Sequence, residues 1–207
     1  KASEQLKYSN GKKPMIIGEL NLSGEVRPVK GVLSAVGSGL KSGFDMFLVP
    51  SENLLEARAL NKGSVFGINS LKHAVDILSG KPVPENTGID VTQKSSEIYS
   101  PDLFGDFSDI KGHWILKRAL EIAVAGRHHV LLFGPPGSGK TMAAKRITSL
   151  MPELAREEAL TVTRIHSVAG ILPKDTGLIS RPPFRMPHHS ASNEGIIGGG
   201  KHLKPGE

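Results

Sequence analysis

A chain of 207 residues with 38% hydrophobic content and a net charge of +6 is long enough to bury one or two cores, and soluble globular is its default class. It has no cysteine, which excludes disulfides and thiolate metal sites and is compatible with a cytoplasmic protein of bacterial type. No run of about 18 apolar residues spans a membrane, and the start lacks the apolar core of a secretory signal.

Residues 1 to 13 are polar and lysine-bearing and read as a frayed or truncated start. From Ile16 to Leu22 apolar and polar residues alternate as in a half-buried strand, and Ser23-Gly24-Glu25 is the turn that follows. A helix is predicted from Val29 to Leu40, then a second strand from Phe44 to Val49 stopped by Pro50. Ser51 is a good N-cap for a helix running to Leu60. Val65 to Ile68 is a short strand, and Ser70 caps a helix from Leu71 to Leu78 that Gly80 closes. Strands alternating with helices imply an α/β unit with parallel pairing over residues 1–80.

Pro82, Pro84, Gly88 and Pro101 fall in a stretch without periodicity, so residues 81–106 are expected to be a linker and 107–207 a second domain. Trp114, Leu116 or Lys117, Leu120, Ile122 and Val124 lie at helical spacings in Gly112 to Ala125, predicting a helix packed on the strand that follows. That strand is His129 to Phe133, short and apolar enough to be a buried parallel one. A helix is predicted from Met142 to Leu150 and another from Glu157 to Val168, before a proline- and glycine-rich irregular segment from Ile171 to Glu207.

Between the strand at 129–133 and the helix at 142–150 stands Gly134-Pro-Pro-Gly-Ser-Gly-Lys140-Thr141, a full match to G-x-x-x-x-G-K-[ST]. A polyphosphate is a compact cluster of negative charge, so such a loop must bring its backbone N–H groups close to it at the positive end of a helix. Gly134, Gly137 and Gly139 permit that approach, flanked by Pro135, Pro136 and Ser138. Lys140 would reach the β- and γ-phosphates, and the Thr141 hydroxyl would join the shell of a bridging Mg²⁺. A glycine-rich turn that binds nothing is the alternative.

Charge is unevenly placed: residues 1–110 carry 12 Lys+Arg against 13 Asp+Glu, whereas residues 111–207 carry 14 against 7. The asymmetry suits either a polyanionic partner such as nucleic acid or an ordinary basic surface around a nucleotide site. Arg181, Arg185, His188, His189, Lys201, His202 and Lys204 put cations on the irregular segment, where they could line a channel for a phosphate backbone. His188 and His189 are expected to point apart on an extended chain, which disfavours a metal pair.

Three segments together carry a resemblance: Asp106-Phe-Ser-Asp-Ile-Lys-Gly112, Lys117-Arg-Ala-Leu-Glu-Ile-Ala123, and Leu131 to Met142 across the glycine-rich loop. They look like the opening of the AAA+ module of magnesium-chelatase-like proteins. Arg181-Pro-Pro-Phe-Arg-Met-Pro-His-His-Ser-Ala-Ser192, with Ile196-Ile-Gly-Gly-Gly200 and Pro205-Gly-Glu207, resembles the ComM/YifB branch of that group more closely. Upstream, Gly18-Glu-Leu-Asn-Leu-Ser-Gly-Glu-Val-Arg-Pro-Val29 and Phe47-Leu-Val-Pro50 resemble the Lon-protease-like domain that precedes the ATPase there.

The resemblance implies an α/β protein, a P-loop NTPase (AAA+) parallel-sheet domain preceded by a smaller Lon-like (ribosomal S5 domain-2-like) α/β domain. It implies ATP and Mg²⁺ as cofactors, with Ile110 and Gly112 near the adenine, and an ATPase motor acting on DNA during natural transformation. Partners would be DNA and further copies of the chain in a ring, a hexamer in this family, without a membrane. An ATPase subunit of a magnesium chelatase, or a non-catalytic interaction module, are the other readings. The segment opening the ATPase usually ends in Gln where His113 stands, which bears on the adenine pocket. Leu33 and Ala35 occupy the places of the Lon-type lysines, so no base is expected for a serine nucleophile and no peptidase activity. An acidic pair of Walker B type is not found after the loop, where Asp175 follows Pro173-Lys174 and not an apolar strand, so the sequence looks like part of a longer ATPase.

Overall fold

A computed structural model describes residues 8, 11–81, 104–174, 176–199 and 204–206. Most of the expected linker, with Asp175, Lys201 and His202, lies outside the described residues. The chain divides into two compact units, Lys1–Ser96 with Arg156–Ile179, and Glu97–Ala155 with Ser180–Glu207. Each half of the sequence was expected to form one contiguous domain; instead a segment beyond the glycine-rich loop belongs to the first unit.

In the first unit, β1 (Pro14–Ile16), β4 (Met46–Pro50) and β5 (Ser64–Ile68) form a parallel sheet in the order β1-β4-β5. The register sets Phe47 beside Met15 and Val65. All five residues of the central strand are buried, as a strand covered on both faces must be. Its side chains alternate. Phe47 and Val49 enter a core with Val32, Val36, Leu54 and Ala57, from α1 (Val32–Lys41) and α2 (Leu54–Arg58). Met46 and Leu48 enter the opposite one with Ala74, Ile77 and Leu78 of α3 (Leu71–Leu78). The Ser70 side chain accepts from the His73 N–H at 3.2 Å, the cap expected there.

The strand expected over 16–22 is broken. At Gly18 the backbone passes so close to Val26 that a Cβ would collide with it. Beyond that point β2 (Glu19–Leu20) turns back on β3 (Val26–Arg27) in an antiparallel hairpin. The Asn21 side chain closes it, its Oδ1 accepting from the Glu25 N–H at 2.8 Å.

The later segment joins this unit through α6 (Arg156–Ala169). Leu160 packs on Leu33 and Ala59, and the Arg156 guanidinium donates to the Ala59 carbonyl at 2.8 Å. Thr163, fully buried, donates to Ala159 O at 2.7 Å and accepts from the Ile179 N–H at 2.9 Å, which fixes the chain after the helix. Most telling is Glu56. This buried carboxylate accepts from the Leu33 N–H at 2.8 Å, from Asn53 Nδ2 at 3.1 Å, and from the Ser167 hydroxyl in a short hydrogen bond.

The second unit has a smaller core of Phe107, Ile110, Leu120 and Ala143. It is built from a 3₁₀ turn (Phe107–Asp109), α4 (Trp114–Ala125) and α5 (Lys140–Arg146), which continues as a 3₁₀ turn to Leu150. Asp106 and Asp109 form a reciprocal cap around the first turn. Hydrogen bonding to Ser108, through its side chain first and its backbone second, holds the Asp106 carboxyl below the ordinary aspartate range. Arg146 pairs with Asp109 at 3.3 Å and the Phe107 N–H donates to Ser149 Oγ at 3.0 Å, tying the turn to the end of the loop helix.

Two expectations fail in this unit for one reason. Residues 129–133 are not a strand, and Leu131 and Phe133 are 93% and 100% exposed. A parallel strand is buried by neighbours on both edges, and among the described residues none pairs with this one. Only Leu132 reaches the core. Correspondingly, α4 buries Leu120 and Ala123 but leaves Trp114 79% and Ile122 52% exposed. The irregular tail also contains order: α7 (Asn193–Ile197), capped by Ser192 Oγ on the Gly195 N–H at 3.1 Å, and a two-residue antiparallel pair, β6 (Gly198–Gly199) with β7 (Lys204–Pro205).

Candidate functional site

The loop from Gly134 to Thr141 bends tightly into α5. Gly137 and Gly139 have φ of 77° and 82°, a left-handed form that disfavours any side chain. A Cβ at Gly134 would sit 3.2 Å from Ser138 Oγ, so the loop's two limbs nearly touch. Alternation of left- and right-handed residues is the backbone arrangement that gathers N–H groups into an anion-binding concavity.

Lys140 folds back over that bend. Its ammonium donates to Gly134 O at 2.8 Å, Pro135 O at 2.7 Å and Ser138 Oγ at 3.2 Å. The cation is therefore centred on the loop by neutral acceptors, which a charged oxygen would outcompete. Thr141 is exposed, and its hydroxyl makes no hydrogen bond among the described residues. Pro135 and Pro136 are exposed along the outer limb. The donor set, one mobile ammonium, one free hydroxyl and a glycine backbone, fits a magnesium-bound polyphosphate.

Beside the loop runs an open groove of about 720 Å³, lined by Lys140, Ser138, Pro135, Leu131, Trp114 and His113 among others. Its walls are mostly apolar with a few convergent polar groups, the usual character of a small-molecule site. His113 was expected to bear on the adenine pocket and lines this groove, whereas Trp114 was expected only as part of a helix face. Trp114 follows a left-handed His113, φ 52°, at the start of α4 and is 79% exposed, which the sequence alone does not signal. The Lys117 ammonium lies 5.7 Å from the centres of both the Trp114 and Phe107 rings, a cation–π pairing that fixes the helix start.

Ile110 and Gly112 occupy different positions from each other. The Ile110 side chain is 1% exposed, inside the small core, while its carbonyl accepts from Lys117 Nζ at 3.1 Å. Gly112 is exposed with φ 67°. Neither lines the groove; what they can offer a base there is backbone.

Arg181, Arg185, His188 and His189 do not line the groove either. Arg181 is half-buried, and Arg185 is exposed but engaged. Phe184 between them packs edge-on against Phe104 at 5.1 Å, which pins this segment. The two histidines do not diverge as expected: their rings lie 4.1 Å apart, tilted by 38°. A local turn is the cause, with His188 Nδ1 accepting from the Ser190 N–H at 3.3 Å and its hydroxyl at 2.6 Å. In the first unit, Leu33, expected from the resemblance to stand in place of a lysine, is fully buried.

Family comparison agrees with these features. Residues 106–207 match the model of "Magnesium chelatase, subunit ChlI", and residues 1–53 match that of "Subunit ChlI of Mg-chelatase". An uncharacterized protein of Mycobacterium tuberculosis strain H37Rv is 42% identical over 193 residues, covering 93% of this chain and 37% of the relative. The uncharacterized protein YifB of Escherichia coli K12 is 38% identical over 206 residues, covering 100% and 39%. Competence protein ComM of Haemophilus influenzae is 36% identical over 209 residues, covering 100% and 40%. The chain thus spans about two fifths of the length of the curated relatives it matches.

Proposed function

The chain belongs to the magnesium-chelatase-like family, in the branch that includes YifB and ComM, and from that premise we propose that it is the ATP-binding part of an AAA+ ATPase motor acting on DNA. The observation that carries the nucleotide half of this reading is the loop itself, with Lys140 poised on Gly134 and Pro135 and the Thr141 hydroxyl open. Lys140 would hold the phosphates and Thr141 the Mg²⁺, with the 110–112 backbone beside the base. Bound ATP supplies the phosphoanhydride whose cleavage drives such motors.

The DNA half rests on charge and on kinship. Residues 111–207 carry 14 Lys+Arg against 7 Asp+Glu, and a relative bears the name of a competence protein. In the assembled protein, a homo-oligomeric ring, Arg181, Arg185, His188 and His189 would face the DNA path. The first unit is Lon-like in sequence but non-proteolytic, because a buried Leu33 offers no base.

Calorimetric titration with Mg-ATP and Mg-ADP tests the nucleotide reading; no binding by the full-length protein would overturn it. DNA affinity of the full-length protein should fall steeply as salt rises. Neutralising Arg181 and Arg185 together should reduce that slope, and an unchanged slope would remove the segment from the DNA path.

A further inference from the structure

A second cavity lies wholly within the first unit, far in chemistry from the phosphate loop. It measures about 210 Å³ and is bounded by the residues just before α1, the start of α2, and the chain leaving α6. Three of its wall groups bear on what it could hold. Thr176 is 2% exposed, and its hydroxyl has no hydrogen-bond partner among the described residues. Lys30 is exposed and has no ion-pair partner among the described residues, and the end of its side chain lies against Gly170, where any Cβ would collide with it. Glu56 is 5% exposed and hydrogen-bonded only to neutral donors, with no cation paired to it.

Lys174, also at this cavity, pairs with Glu52 at 2.8 Å. An exposed lysine and a buried, hydrogen-bonded carboxylate thus line the same small space, with no ion pair between them among the described residues. An anion alone would meet Glu56, and a cation alone would meet Lys30. A buried hydroxyl adds a donor and an acceptor that burial leaves costly until filled. We propose that this cavity binds a small zwitterion of the α-amino acid class, its carboxylate on the Lys30 ammonium and Thr176 hydroxyl and its ammonium on Glu56. The volume suits a molecule of that size.

Because Ser167 of α6 holds Glu56 and Thr176 follows the same helix, occupancy would stabilise the attachment of this segment to the sheet. Ligand binding at this cavity is independent of the nucleotide reading. Thermal melts and calorimetry of the full chain against the twenty amino acids, with propionate and propylamine as single-charge controls, test it. At least one amino acid should bind in the millimolar range or tighter and raise the melting temperature. Both controls should bind at least roughly tenfold more weakly. Thr176→Val and Lys30→Met should each weaken binding roughly tenfold, Thr176→Ser should retain it, and Lys140→Ala should leave it unchanged. The proposal is overturned if no amino acid binds, if a single-charge control binds equally well, or if folded Thr176→Val and Lys30→Met proteins, verified by their own melts, keep full affinity.

Discussion

The Lys140 ammonium sits 2.7 Å from the Pro135 carbonyl oxygen, inside its own loop. That contact orients the cation before any anion arrives, and the exchange of a carbonyl for a phosphate oxygen needs a side-chain movement only. Lys140→Ala should therefore lower nucleotide affinity by about 10- to 100-fold, the worth of one charge-assisted hydrogen bond or a little more. It should leave the fold intact, because the lysine packs on nothing in the core. Calorimetry with Mg-ATP gives the first quantity and a circular-dichroism melt the second; an unfolded variant would contradict the assignment.

Glu56 joins α2 to α1 and α6 through three donors. Glu56→Ala leaves the Leu33 N–H, the Asn53 amide and the Ser167 hydroxyl short of an acceptor, and should cost about 3 to 5 kcal/mol of stability. Glu56→Gln, which keeps an acceptor and the shape, should cost less than half as much. Urea denaturation of both variants measures the difference, and equal losses would mean that volume and not hydrogen bonding is what matters.

Leu33 is fully buried against Ala59 and Leu160. Leu33→Ala should destabilise by about 2 to 5 kcal/mol through the cavity it leaves. Leu33→Lys should be worse, because an ammonium would be forced into an apolar site, and it should confer no peptidase activity on an unfolded casein substrate. A stable, peptidase-active Leu33→Lys protein would reverse the view of the first unit as non-proteolytic.

The Asp106 cap makes the second unit sensitive to acid. Its carboxyl titrates below the ordinary range when folded, so its stabilisation is fully present above about pH 4, the unfolded value. It is lost as pH falls through the lower folded value. Asp106→Asn should flatten the acid limb of the stability curve without a comparable change at neutral pH. Carboxyl chemical shifts followed by NMR would show the depressed value directly; an unshifted Asp106 would refute the cap.

Much of the first unit is legible along the chain. Apolar runs at 44–49 and 65–68, Ser70 before α3 and Gly80 after it are local signals, and they appear where local physics puts them. The loop is equally local, since glycine and lysine at fixed offsets suffice to specify the bend. Residues 129–133 mark the limit of such reasoning: their composition states an apolar preference, but burial depends on partners that adjacent residues cannot name. Leu160 and Ser167 illustrate the same limit from the other side. Their spacing predicts a helix with an apolar face, yet the surface it meets was laid down more than a hundred residues earlier at Glu56 and Leu33. Stacking of His188 on His189 was missed because it depends on one hydroxyl at Ser190.

The first unit's two-part construction also has a bearing on biogenesis. A ribosome releases the sheet and its first three helices, then the glycine-rich loop, and only afterwards α6 with its Ser167. Until that helix emerges, Leu33 and the Glu56 carboxylate lack their covering, so the sheet cannot finish packing when its own strands are made. Any excised piece ending before α6 would be born with that wound open.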